Sequence, residues 1–470
     1  MTTLLWFRQD LRLRDNPALA AAAVRGRVVP IFILDETDKN WAPGAASRWW
    51  LHHSLNALRK QLDALSLYRG DPKTILPKLV AEAKATAVVW NRCYEPHAVK
   101  RDTAIKERFK KDGVAAESFN AALLNEPWDI QTGSGGPYKV FTPYWRAAQS
   151  RDFAAPVAKP KTIDAQQLGS SEKLDDWKLL PVKPDWTKGF AERWTPGEQG
   201  ALDRFEEFIA EGLATYGELR DRPDKASTSR LSPHLHFGEI SPRQIHARLA
   251  AYQDDKPKNA GIAKFMSEIG WREFAHHLLY HFPKLPDANW RSAFDAYPWR
   301  SSKADLKAWQ RGMTGYPLVD AGMRELWTTG FMHNRVRMIA ASFLIKHLRL
   351  DWRLGEQWFW DTLVDADLAN NAAGWQWVAG SGADASPYFR IFNPVAQGEK
   401  FDPNGDYVRR WCPELSKLPD KFIHAPWKAD DDVLKAAGVT LGKDYPRPIV
   451  DHDEARKAAL EGYQKVRKSG

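Results

Sequence analysis

The sequence predicts an α/β domain over residues 1–130, an irregular connector over 131–195 and an all-α domain over 196–470. Three observations predict it. Short, continuously apolar runs alternate with helix-period segments in the first 130 residues, the pattern of a doubly wound parallel sheet. The next stretch is crowded with proline and glycine. Beyond residue 196 the apolar spacing becomes helical and no strand-like run returns.

Residues 3–7 and 28–34 read as strands buried on both faces. Asn16-Pro17 opens the helix between them, and Ser47 is placed to cap the next. In that second helix Leu51, Leu55, Leu58, Leu62 and Leu65 step by fours and threes along one face. A strand near 65–69, a turn at Gly70-Asp71-Pro72, a strand at 87–90, a basic helix at 97–112 and a strand at 114–119 complete the alternation. No GxGxxG follows the first strand, so dinucleotide binding in that turn is not supported. Ligands of such sheets still gather at the carboxyl ends of the strands. The connector holds Gly133-Ser-Gly-Gly136 and prolines 137, 143, 156, 160, 181 and 184, yet is rich enough in Trp and Tyr to wrap the surface. Helical spacing then runs through Leu202-Phe205-Phe208-Ile209-Leu213 and Phe331-Val336-Ile339-Phe343-Leu344-Leu348 to a basic helix at 455–468, with no repeat of 20–50 residues.

Of 470 residues, 43% are hydrophobic and 27% charged, the balance of an ordinary globular protein. A net charge of +9 favours an anionic partner, nucleic acid first. Two cysteines, Cys93 and Cys412, exclude a disulfide framework and a cysteine-based metal site and fit a reducing cytoplasm. No signal peptide and no membrane-length apolar run is read. Tryptophan is the outlier at 22 residues, more than a core alone needs.

Chemistry gathers in the helical half. In Asp365–Trp377, a helix starting near Asp367 places Asp367, Asn371 and Trp375 on one face. That face offers acceptors for sugar hydroxyls, a neutral amide for a ring heteroatom and an oxidisable indole. Tyr216 and Arg220 are also four apart. Thr228-Ser-Arg-Leu-Ser232-Pro233 reads as a phosphate cradle ahead of a helix, or as a plain capping turn. Glu268, Trp271 and Arg272 point one way and suit a nucleobase, or a helix–helix salt bridge. His333-Asn-Arg335-Val-Arg337-Met338 suits phosphates, or solvent. Each alone has its bland reading; together they describe a site.

In this order the segments resemble the DNA photolyase/cryptochrome family over essentially the whole chain, from Trp6–Asn16 to Tyr445–Val450. The most specific pieces are Thr228–Pro233, Trp271–Phe274, Met313–Pro317, His333–Met338, Asp361–Trp377 and Tyr388–Pro394, and the pattern is most like bacterial cyclobutane pyrimidine dimer photolyases. The resemblance implies an amino-terminal antenna domain and a helical domain holding a bent FAD. Flavin contacts would be Tyr216, Thr228, Ser229, Arg230, Leu231, Ser232, Phe265, Arg272, Asn334, Asp365, Asp367 and Asn371, with Asn371 at flavin N5. Lesion and DNA contacts would be Arg220, Glu268, Trp271, Asn334, Arg335, Met338, Trp377 and Gln397. Trp375, Trp352 and Trp299 match the family's electron wire, and no metal is implied.

The implied reaction is light-driven repair of UV-damaged DNA. Excited, fully reduced FADH⁻ lends an electron to a flipped dimer, the cyclobutane bonds break and the electron returns. Glu268, protonated or strongly hydrogen-bonded, would stabilise the pyrimidine carbonyl, and Trp271 and Trp377 would stack on the dimer. The antenna is open between methenyltetrahydrofolate, 8-hydroxy-5-deazaflavin and no second chromophore, because His97-Ala98 stands where many folate-binding relatives carry Asn-Glu. Trp41, Arg48, Trp49 and Trp50 have the chemistry to sandwich a pterin. The other readings are a cryptochrome-type blue-light receptor and a cofactor-free nucleic-acid-binding protein; a monomer without obligate protein partner is expected in each case.

Overall fold

The computed structural model describes residues 1–385 and 389–469; Tyr388 of the Tyr388–Pro394 motif lies outside them. Five parallel strands, β1 (Thr2–Phe7), β2 (Arg27–Leu34), β3 (Ser66–Arg69), β4 (Ala87–Asn91) and β5 (Ala115–Phe119), pair in the order β3-β2-β1-β4-β5. The continuous apolar runs are the central strands: Leu4, Leu5, Trp6 and Phe7 are all buried. Helices α1 (Pro17–Arg25), α2 (Ala45–Gln61), α3 (Pro72–Ala83) and α4 (Pro96–Lys111) are the crossovers. Asn16 caps α1 by accepting from the Leu19 amide at 3.0 Å. The strand order reverses between β1 and β4, so the carboxyl ends there open a crevice.

Two expectations fail locally. Ser47 does not cap α2; it lies buried inside the helix, which starts after Gly44. The orphan Ala45 amide donates instead to Asp361 Oδ1 at 2.9 Å, from a helix 316 residues away. Gly44 permits that approach, because a Cβ there would sit 2.3 Å from the Trp360 carbonyl oxygen. The connector also does more than wrap the surface. Its helix Phe141–Gln149 buries Phe141, Tyr144 and Trp145 in the helical core, where Gly270 leaves room for the Trp145 ring.

Among the described residues no strand follows β5. Helix Lys256–His281, 26 residues long, packs against helix Leu368–Ala379, which is in turn packed by Trp352–Thr362 and Asn334–Ser342. Two runs read as simple helix carry π turns, Phe208–Gly212 and Phe343–His347. In the second, the buried Lys346 Nζ donates at 2.7 Å to the carbonyl of Ala379, closing the end of helix Leu368–Ala379. No described helix is long and apolar enough to cross a membrane.

Candidate active site

A cavity of about 440 Å³ opens between helices Lys256–His281, Asn334–Ser342 and Leu368–Ala379. Asp367 caps the last of these, as its sequence predicts, accepting from the Asn370 amide at 2.8 Å. Asn371 then falls on the cavity wall with its Nδ2 donating to the Glu356 carbonyl at 3.0 Å. That bond turns Asn371 Oδ1 inward as an acceptor, suited to a ring N–H. Asp365 is the fixed charge of the wall. It accepts from Arg337 at 2.8 and 3.0 Å and from Ser232 Oγ at 2.6 Å, so the Thr228–Pro233 turn reaches the cavity through Ser232. No side chain caps the short helix Ser232–His236, and Arg230 takes a left-handed φ of 52°.

At the mouth, Glu268 meets the Arg220 guanidinium and lies 3.6 Å from the Lys264 ammonium. Arg335 donates to Asp221 at 2.7 Å. Trp271 lies flat on Phe141, ring centroids 3.8 Å apart and planes 10° off parallel, which fixes the indole at the rim. Trp377, Met338 and Asn334 complete this lining. Ala275, Ala341, Ala373 and Gly374 leave the interior open; a Cβ on Gly374 would meet nothing within 4 Å.

Ten of the predicted residues therefore line one space: Arg220, Glu268, Trp271, Asn334, Arg335, Met338, Asp365, Asn371, Trp375 and Trp377. Others stand behind it. Tyr216 and Phe265 pack on each other at 5.4 Å, and Leu231 is core. Thr228 and Ser229 belong to the turn, Arg272 donates to the Ala122 carbonyl at 2.7 Å, and Gln397 lies outside the lining. Asp367 shares a helix with Asn371 but aims Oδ2 away, at His276 (3.4 Å) and His236 (3.6 Å). The one-face reading holds for Asn371 and Trp375 only, because an N-cap side chain folds back on its own helix. Lys264 was not among the predicted residues, and Arg337, read as meeting phosphate or solvent, pairs with Asp365 instead. Lys264 was legible as i, i+4 to Glu268; the Arg337–Asp365 pair spans 28 residues and was not.

Trp375 and Trp352 are buried in one cluster, and the half-buried Trp299 packs against it. The nearest rings to Trp375 are Phe359 at 5.0 Å and Trp309 at 6.2 Å.

A second cavity, about 340 Å³, lies at the carboxyl ends of β1, β2 and β4, lined by Arg8, Asp35, Glu95, His97 and Arg101 and facing Trp41 and Trp360. Those two indoles meet edge to face at 5.3 Å. Of the four residues proposed to sandwich a pterin, only Trp41 is there. Trp49 and Trp50 are core, with Trp50 donating to Glu239 at 3.0 Å, and Arg48 reaches the Lys178 carbonyl. The helix α2 apolar face won those two indoles, as burial area favours.

Fold and sites together define a two-domain protein with one cavity at a sheet switch point, where charged and aromatic side chains meet, and an aromatic-walled cavity among helices. Family models for DNA photolyase and for the FAD binding domain of DNA photolyase match residues 3–161 and 265–465. The chain is 55% identical over 474 residues to the deoxyribodipyrimidine photo-lyase of Agrobacterium fabrum, covering 99% of this chain and 98% of that one. It is 40% identical to cryptochrome-1 of Arabidopsis thaliana, covering 99% of this chain and 70% of the relative. The crystal structure of a bacterial class III photolyase from Agrobacterium tumefaciens superposes with a TM-score of 0.96 at 55% identity, covering 99% and 98% of the two chains. This chain belongs to the DNA photolyase family.

Proposed function

We propose that the chain is a light-dependent DNA repair enzyme, a carbon–carbon lyase that splits cyclobutane pyrimidine dimers. One observation carries the reading: Asn371 and Asp365, the Glu268–Arg220 pair and the indoles of Trp271 and Trp377 all face one open cavity. The residues fit FAD, with an inward amide oxygen, a fixed carboxylate and a wall of small residues and rings. When bound and reduced, that group supplies the photoexcited electron.

The chain's own residues bind and orient. Asn371 Oδ1 would accept a hydrogen bond from an N–H of the flavin ring, and Asp365 would accept from hydroxyls of the linker. Arg220 and Glu268 hold the edge of an extrahelical pyrimidine pair, whose flipping costs on the order of a few kcal/mol. Trp271 and Trp377 cover its faces and exclude water, and Lys264 and Arg335 meet the phosphates flanking it. Trp375, Trp352 and Trp299 carry electrons in from the surface when the cofactor is oxidised. The cavity at the switch point takes the antenna chromophore, a methenyltetrahydrofolate or a deazaflavin, between Trp41, Trp360 and the Arg8–Arg101 group. The test is to mix reduced protein with a thymine-dimer oligonucleotide and count intact thymines after blue light and in darkness. Light-dependent restoration is expected; none would move the reading to the blue-light receptor.

A further inference from the structure

The Asp367 carboxylate, turned away from the cavity, is the N-cap of the helix that carries Asn371. Its outer oxygen faces His276 Nε2 at 3.4 Å on helix Lys256–His281, the opposite wall. The other ring nitrogen of His276, Nδ1, lies 3.0 Å from the Arg272 carbonyl. Both ring nitrogens thus face acceptors. A neutral imidazole has one N–H and would turn a lone pair on one of these oxygens, whereas the imidazolium satisfies both.

We propose that His276 is a positioning residue for the flavin: as an imidazolium it clamps Asp367, and with it the start of the Asn371 helix, to the facing wall. This rests on the flavin reading above. The geometry makes the clamp depend on one proton. Burial is the largest influence and disfavours the cation, but the charge and hydrogen bond of Asp367, with the Arg272 carbonyl, together hold the ring's pKa above its ordinary value. Around the ring stand Arg272 and Glu273 of its own helix, Asp367, His236 of helix Ser232–His236, and Tyr94, edge-on at 6.5 Å from the loop after β4. His236 Nδ1 lies 3.6 Å from the same carboxylate oxygen and helps keep Asp367 ionised, but it is the more distant of the two histidines and sits on helix Ser232–His236, not on the facing wall. Because the folded-state pKa is raised, the contribution is full in acid and is lost as pH rises through that value.

The test uses the purified holoprotein and two readouts, FAD dissociation followed by flavin fluorescence and the melting temperature. The wild-type Kd for FAD should weaken about tenfold between about pH 6.5 and about pH 9, the size of one charge-assisted hydrogen bond. His276→Arg should stay tight and nearly flat across that range, Arg being charged throughout. His276→Gln should be weak already at the lower pH and equally flat, and Asp367→Asn should lose the pH dependence. A flat wild type, or His276→Arg retaining the wild-type slope, overturns the proposal. A wild type that binds no FAD at either pH overturns the functional reading and the clamp with it.

Discussion

Gly355 lies where helix Trp352–Thr362 crosses Trp375. A Cβ built on it would sit 2.1 Å from Cη2 and 2.5 Å from Cζ3 of that indole, and 2.7 Å from Leu344 Cδ2. Carbon atoms rest at about 3.5–4.0 Å, so Gly355→Ala must push the ring back by roughly 1.5 Å. Trp375 is 3% exposed and held by Phe359 at 5.0 Å and Trp309 at 6.2 Å. Overpacking of this kind destabilises by about 1–3 kcal/mol, and two backstops on one ring put this case near the upper end. Denaturant unfolding should show a lowered midpoint with unchanged slope, and the displaced indole should slow photoreduction of the oxidised protein. Gly374→Ala on the next helix is the matched control, because its Cβ meets open space. Gly-to-Ala in a helix interior there should stabilise the flavin-free protein by about 0.5–1 kcal/mol. If Gly355→Ala leaves stability within about 0.5 kcal/mol of wild type, the packing argument around Trp375 is wrong.

Glu268→Ala should lower the repair yield while FAD stays bound. Arg220 keeps Asp221 at 3.8 Å, so stability should fall by no more than about 1 kcal/mol; loss of flavin would contradict its placement at the lesion. Trp375→Phe should spare repair by enzyme reduced beforehand and block photoreduction of oxidised enzyme, read from the flavin absorbance; unchanged photoreduction would sink the wire. Glu273, 1% exposed, has its carboxyl pushed by burial up to about 7. The folded state holds that proton more tightly, so its contribution is full below about pH 4.5 and lost as pH rises to about 7, worth about 3 kcal/mol. Glu273→Gln should flatten the fall in stability between about pH 5 and about pH 8, and an unaltered slope would show that another group titrates.

What the sequence made legible was local. Leu4–Phe7 and Val28–Leu34 announced themselves as strands because buried parallel strands are apolar on both faces, and Asp367 announced a helix because N-caps are chosen by neighbouring amides. The contacts it hid are those between distant segments. Asp361 completes α2 where Ser47 had the right chemistry and the wrong position, and Arg337 reaches Asp365 across 28 residues of helical chain that no spacing rule sees. Trp49 and Trp50 were misread because an indole's identity does not say whether it packs on core or ligand; their place on the leucine face of α2 did. Asp367 shows the limit from the other side. Its helical register was right, yet capping turned its oxygen to His276 and His236, and those histidines carried no signal of their own.

The most direct measurement is the structure of the protein bound to a synthetic duplex carrying one thymine dimer. The dimer should lie outside the duplex, between Trp271 and Trp377, with its carbonyl edge on Glu268 and Arg220 and the flavin edge at Asn371. A dimer left stacked in the duplex, or seated away from the wall shared by Trp271 and Asn371, would contradict the account.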